Sequence, residues 1–131
     1  MASFVKPGGR FWIRDSHPVL GTLDDKRDDS EFVIRFPYFH QDTPLNFPET
    51  ESYAGSATLS NPDAYSWSHS IADVINALLD AGLVIDRVEE YKHLDWQFLS
   101  IMEKAKNDTW VLPESLRDNL PLQFTVLAHK P

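Results

Sequence analysis

The sequence predicts an α/β fold built on a small sheet that one helix covers incompletely. Two observations carry that reading. Short apolar runs of the kind that form strands stand at Phe11–Ile13, Phe32–Phe36, Leu83–Tyr91 and Leu122–Ala128. Between the second and third lies a segment with a 3.6-residue apolar period: Ile71, Val74, Ile75, Leu78 and Leu79. Strands alternating with a helix are an α/β pattern, yet a parallel sheet needs helices on both faces and the chain supplies one strong helix. The 131 residues suit a single domain, 1–131, and 42% hydrophobic content is enough for a core.

Each element has a local reason. Lys6-Pro7-Gly8-Gly9 is a turn, with Pro fixing one dihedral and Gly free to take positive φ. Phe11-Trp12-Ile13 is apolar at every position, which suits a central parallel strand covered on both faces, and Pro18 ends its pairing. Residues 24–31 hold seven charges in eight positions and read as a solvated loop. Phe32–Phe36 reads as a strand stopped by Pro37. From Tyr38 to Tyr65 the chain is rich in Pro, Ser, Thr and Asn with scattered aromatics, too long for an idle connection, so a functional loop or hairpin excursion is expected.

The helix starts at Ser70, where Asp73 completes a capping box, and stops at Gly82. Leu83–Tyr91 reads as a strand, Trp96–Lys104 as a short helix or turn, and Leu122–Ala128 as the last strand after Pro121. Trp96, Phe98, Leu99 and Met102 are expected in the core or over a sheet edge.

Composition excludes several classes of function. No cysteine means no disulfides, thiol catalysis or thiolate-bound zinc. A net charge of −8 makes nucleic acid and anionic membranes poor partners. No apolar run is long enough for a membrane span, and the N-terminus lacks the pattern of a signal peptide, so a soluble cytoplasmic chain is expected. The five histidines are separated by 23, 29, 24 and 36 positions with no H-E-x-x-H, so no metal site is expected. No G-x-S-x-G elbow points to a serine hydrolase.

Three segments in order resemble a known family. Phe4-Val5-Lys6-Pro7-Gly8-Gly9-Arg10-Phe11 resembles the Pro-Gly-Gly turn that enters the fifth strand of class I S-adenosylmethionine-dependent methyltransferases. Tyr65–Ser70 leading into Ile75–Leu83 is similar to the helix that follows that strand, with its alanine-glycine ending. Leu122–Pro131 resembles the family's last strand, which runs antiparallel. The resemblance implies the C-terminal half of such a fold, a partial Rossmann-like domain with residues 38–65 as an acceptor-side insertion. It departs from the family in one respect: no G-x-G-x-x-G or similar turn precedes a helix, so S-adenosylmethionine, the family's cofactor, is not expected to bind this chain alone.

In open α/β sheets, ligands lie outside the carboxyl ends of the strands. Asp15 and His17 follow the first strand and are candidates to hold or deprotonate a methyl acceptor, with Arg14 beside them. The alternative is a surface Arg14–Asp15 pair, with His17 ordering a turn. Tyr38, Phe39 and His40 are candidate lining for a small-molecule pocket, or else pin a hairpin. Tyr65, Trp67 and His69 precede the helix, and an imidazole there can accept a proton from an acceptor hydroxyl; the alternative is a capping-region histidine under Trp67. The resemblance thus implies a small-molecule methyl acceptor as partner and, through a sheet edge left uncovered, a homodimer. The other reading is a non-catalytic α/β domain that works by association.

Overall fold

The computed structural model describes residues 2–47, 51–52, 55–58 and 63–131. In chain order these form β1 (Arg10–Ser16), β2 (Leu45–Asn46), β3 (Glu51–Ser52), β4 (Gly55–Thr58), β5 (Tyr65–Ser66), α1 (Ile71–Asp80), β6 (Val84–Tyr91), β7 (His93–Leu94), β8 (Glu103–Lys104), β9 (Trp110–Val111) and β10 (Gln123–His129). Short 3₁₀ turns lie at Ala2–Phe4, Pro18–Thr22 and Glu114–Leu116. The architecture is a mixture of small antiparallel sheets with one α-helix.

The main sheet has the order β1-β10-β6, with β10 antiparallel to both neighbours. The central strand is almost wholly buried, from Gln123 through Val126 and again at Ala128. Its flanking strands are not. In β1 exposure alternates from Arg10 to Arg14, Trp12 at 59%, so Phe11–Ile13 is an edge strand in an antiparallel pair and not a central parallel one. An unbroken apolar run records affinity for apolar surface but not how many neighbours supply it.

A second correction concerns Phe32–Phe36, which is not a strand. A lone bridge joins Leu23 to Ile34, and the N–H groups of Arg35 and Phe36 both donate to the Thr22 carbonyl. With two donors on one acceptor the chain curls, and no ladder forms; Ile34 is left 78% exposed. In β6 a bulge between its pairs with Leu127 and Ala128 inserts Asp86 and resets the alternation. Ile85 and Val88 therefore share the face of Ala128 and Val126, where strict alternation would part them. Residues 96–102 form a turn, pinned where Phe98 and Leu99 N–H groups point at Met102 Sδ, and Glu103–Lys104 is β8.

α1 has the expected termini. Ser70 Oγ accepts from Asp73 N at 3.1 Å while Asp73 Oδ2 accepts from Ser70 N at 2.9 Å. At the far end Gly82, at φ +80°, lets Gly82 N reach Leu79 O and Leu83 N reach Leu78 O, a Schellman closure. The stripe Ile71, Val74, Ile75 and Leu78 turns inward against β6, but no residue of α1 is fully buried, and Leu79 is 48% exposed. The expected 38–65 excursion contains the β2–β5 pair, Leu45 with Ser66 and Asn46 with Tyr65, and the β3–β4 pair. Its residues 48–50, 53–54 and 59–62 lie outside the described residues.

The principal hydrophobic cluster lies beside the main sheet. Leu20, Leu23, Leu94, Leu99, Met102 and Leu112, with Leu122, are all at most 7% exposed, and Phe32, Phe98 and Trp110 pack around them. Thus the 3₁₀ turn after β1, the β7-β9-β8 sheet and the segment entering β10 are clamped together. That clamp fixes where β1 ends.

Candidate functional site

Alternation along β1 sends Ile13 and Asp15 to the face of Phe124 and Val126, and Arg14 to the other. At the carboxyl end the register sets Asp15, Phe124 and Glu90 side by side across the three strands. His17 then turns the chain. Its backbone N–H donates to Leu122 O, and its Nδ1 accepts from Val19 N at 3.1 Å. A nitrogen that accepts carries no proton, so Nε2–H is the donor to Glu90 Oε1 at 3.0 Å. The ring is 7% exposed and meets Phe124 edge-on at 6.3 Å. His17 therefore has both nitrogens in use and orders the turn before Pro18.

The opposite wall comes from the residues before α1. Ser68 Oγ donates to Pro37 O at 2.8 Å, and Ile71 N donates to Tyr38 Oη at 3.4 Å, which ties the 38–40 loop to the helix start. His40 stacks on His69 with centroids 5.4 Å apart and planes 19° from parallel. No hydrogen bond engages the ring nitrogens of His69 among the described residues. The Asp73 carboxyl is held below its ordinary range, first by the Ser70 backbone N–H, then by the Ser70 side chain, with smaller help from His69 and His40.

Between these walls is a cleft of about 370 Å³. Asp15, His17, Tyr38, Trp67 and His69 all line it, so five sequence candidates from three distant segments converge. The other four do not line it. Arg14 lies on the reverse face, its Nε donating to Gln123 Oε1 at 2.8 Å and its Nη2 to Asp95 Oδ1 at 2.9 Å. It does not pair with Asp15. Phe39 is 71% exposed and meets Tyr38 edge-on, Tyr65 is 57% exposed on β5, and His40 reaches the cleft only through His69. Sequence reasoning missed Phe47, Phe124 and Val74 as lining. Phe124 and Val74 were legible as inward-facing residues of a strand and a helix; Phe47, in an irregular segment, carried no periodic signal.

Among the described residues no group of three or more His, Asp or Glu is placed to hold a metal ion. Among the described residues no glycine turn opens the N-terminus of α1: Gly8 and Gly9 precede β1, Gly21 lies in the Pro18–Thr22 turn, Gly55 begins β4 and Gly82 follows α1. The N-terminus of α1 is already closed by Ser70 and the Asp73 carboxylate. No helix among the described residues is long and apolar enough to cross a membrane. Comparison of the chain with known protein families, with curated proteins and with solved structures finds no match.

Proposed function

We propose that this chain is the acceptor-binding, C-terminal portion of a class I S-adenosylmethionine-dependent methyltransferase domain of Rossmann-like type, acting on a small molecule in the cytoplasm and inactive by itself. The observation that carries this is the cleft at the carboxyl end of β1, where Asp15, Tyr38, Trp67 and His69 converge. The β1-β10-β6 order, with an antiparallel middle strand, supports the same reading. His69, whose ring nitrogens have no hydrogen-bond partner among the described residues, is the group that takes the acceptor's proton; Asp15 orients the acceptor; His17 holds the floor by its bonds to Val19 and Glu90. Calorimetric titration of the chain with S-adenosylmethionine is expected to show no binding tighter than millimolar. The transcript upstream of the Met1 codon is expected to carry an in-frame glycine-rich segment of the G-x-G-x-G type. Micromolar cofactor binding, or an upstream stop codon with no companion chain bearing that segment, would overturn the reading.

A second reading, association without catalysis, is favoured by the outer edge of β1, which no strand pairs among the described residues. His17 N to Leu122 O and Lys130 N to Gly9 O fix the odd-numbered residues toward β10. Arg10, Trp12 and Arg14 therefore point their backbone N–H and C=O groups away from the sheet. The far edge, β6, is protected by its bulge and by Glu89 and Glu90. A second copy pairing antiparallel along β1 satisfies these groups and covers Trp12. Sedimentation of the chain should give a dimer that Trp12→Glu converts to monomer; a soluble 15 kDa species for the unaltered chain removes this reading.

A further inference from the structure

We infer that the cleft takes an organic cation, an amine or quaternary ammonium carried on a planar or apolar body. This rests on reading the cleft as a small-molecule site, but not on methyl transfer.

The charges around the cleft are one-sided. Among the described residues Asp15 is the carboxylate in its lining, and no lysine or arginine lines it. Asp15 Oδ1 accepts from Ser16 N at 2.7 Å, which leaves Oδ2 without a partner among the described residues. A second carboxylate, Glu90, lies in register one strand beyond Phe124, held by His17. The nearest guanidinium along β1, Arg14, is bound to Asp95 and Gln123 on the reverse face. The segments that wall the site add no basic side chain of their own. From Phe36 to Asp86, a stretch that supplies the excursion and all of α1, there is no lysine or arginine, while there are seven carboxylates.

The walls complement that charge. Tyr38, Phe47, Trp67 and Phe124 line the cleft, and Phe47 and Trp67 are 37% and 46% exposed, so ring surface is open to a ligand. Aromatic faces carry negative quadrupole potential and attract ammonium groups. A carboxylate or phosphate ligand would leave water for a concavity with a like charge and no counter-charge, which is unfavourable on both counts. An ammonium group meets Asp15 Oδ2 on one side and ring faces on the others.

The test is calorimetric titration of the full chain with three probes of one shape: 2-phenylethylamine, 2-phenylethanol and 3-phenylpropanoate. The amine should bind tightest and the acid not at all. Asp15→Asn, which keeps the Oδ1 acceptor for Ser16, should weaken the amine about fivefold and the uncharged alcohol by less, so that the preference for amine over alcohol falls. Trp67→Ala should weaken the amine about tenfold. An alcohol that binds as tightly as the amine, or an amine affinity indifferent to Asp15→Asn, overturns the cation inference and leaves the acceptor cleft standing. Failure of all three probes to bind in the millimolar range overturns both. Amine selectivity alongside an upstream stop codon and no companion chain bearing the glycine-rich segment would sustain the inference and overturn the methyltransferase reading alone.

Discussion

The leucine cluster beside the main sheet and the layer of α1 on that sheet are built on opposite terms. In the cluster, Leu94 and Leu112 are fully enclosed although Leu94 ends the two-residue β7 and Leu112 lies just after the two-residue β9. In the layer, α1 has a capping box, a Schellman closure and a continuous apolar stripe, yet no fully buried residue. Regular backbone and deep burial are separable here, and burial supplies most folding free energy. The cleft belongs to the less buried side: of its walls, only the floor at His17 and Phe124 touches the well-packed centre. A site placed there can admit a ligand without opening the core, because local stability follows buried apolar contact.

Substitutions sharpen that contrast, and the largest effect should come from the cluster. Leu112→Ala removes a fully buried side chain and should cost about 2–5 kcal/mol in chemical denaturation; a loss below about 1 kcal/mol would mean the cluster is not the main core. Val74→Ala, on the half-buried stripe, should cost about 1 kcal/mol and speed amide exchange within α1 first. If exchange rises equally in β10, helix and sheet open as one unit and the distinction between the two regions fails. Ser70→Ala breaks the capping box and should cost about 1 kcal/mol, again read best as local exchange at the helix start.

The smallest effect is electrostatic and depends on pH. The folded-state pKa of Asp73 lies below its ordinary value of 3.8, chiefly through the Ser70 backbone N–H. Its stabilising contribution is therefore present above that value and disappears as pH falls through the depressed one. Asp73→Asn should be less stable than the unaltered chain near neutral pH, and the two denaturation midpoints should converge in acid. Midpoints that stay equally far apart down to strong acid would place the effect in packing, not charge.

Much of this architecture was legible along the chain because its signals are local. The α1 boundaries follow from Ser70, Asp73 and Gly82, whose effects act within one turn. The seven charges of residues 24–31 announced a solvated loop, and Pro18 and Pro121 bracketed their strands. Convergence of Asp15, Tyr38, Trp67 and His69 was expected in part, since a strand's carboxyl end and a helix's approach are natural walls. Arg14 was misplaced because one step of strand register decides which face a side chain takes, and in the folded chain Asp95, a residue 81 positions away, holds it there.

By itself, the sequence determined the helix and its caps, the strands at β1, β6 and β10, the absence of thiol chemistry and the net negative charge. Only the tertiary structure decided that Phe32–Phe36 forms no ladder, that a bulge at Asp86 resets β6, and that the main core gathers leucines from irregular segments. The physical reason is common to all three. Periodicity reports a residue's preference for apolar surroundings, whereas ladder pairing, bulges and cluster membership depend on which distant groups arrive to satisfy it. His17 shows the same division. Its place before Pro18 marked it as a turn or a base, and the bonds from Val19 and to Glu90, 73 positions apart from it in the latter case, made it the turn.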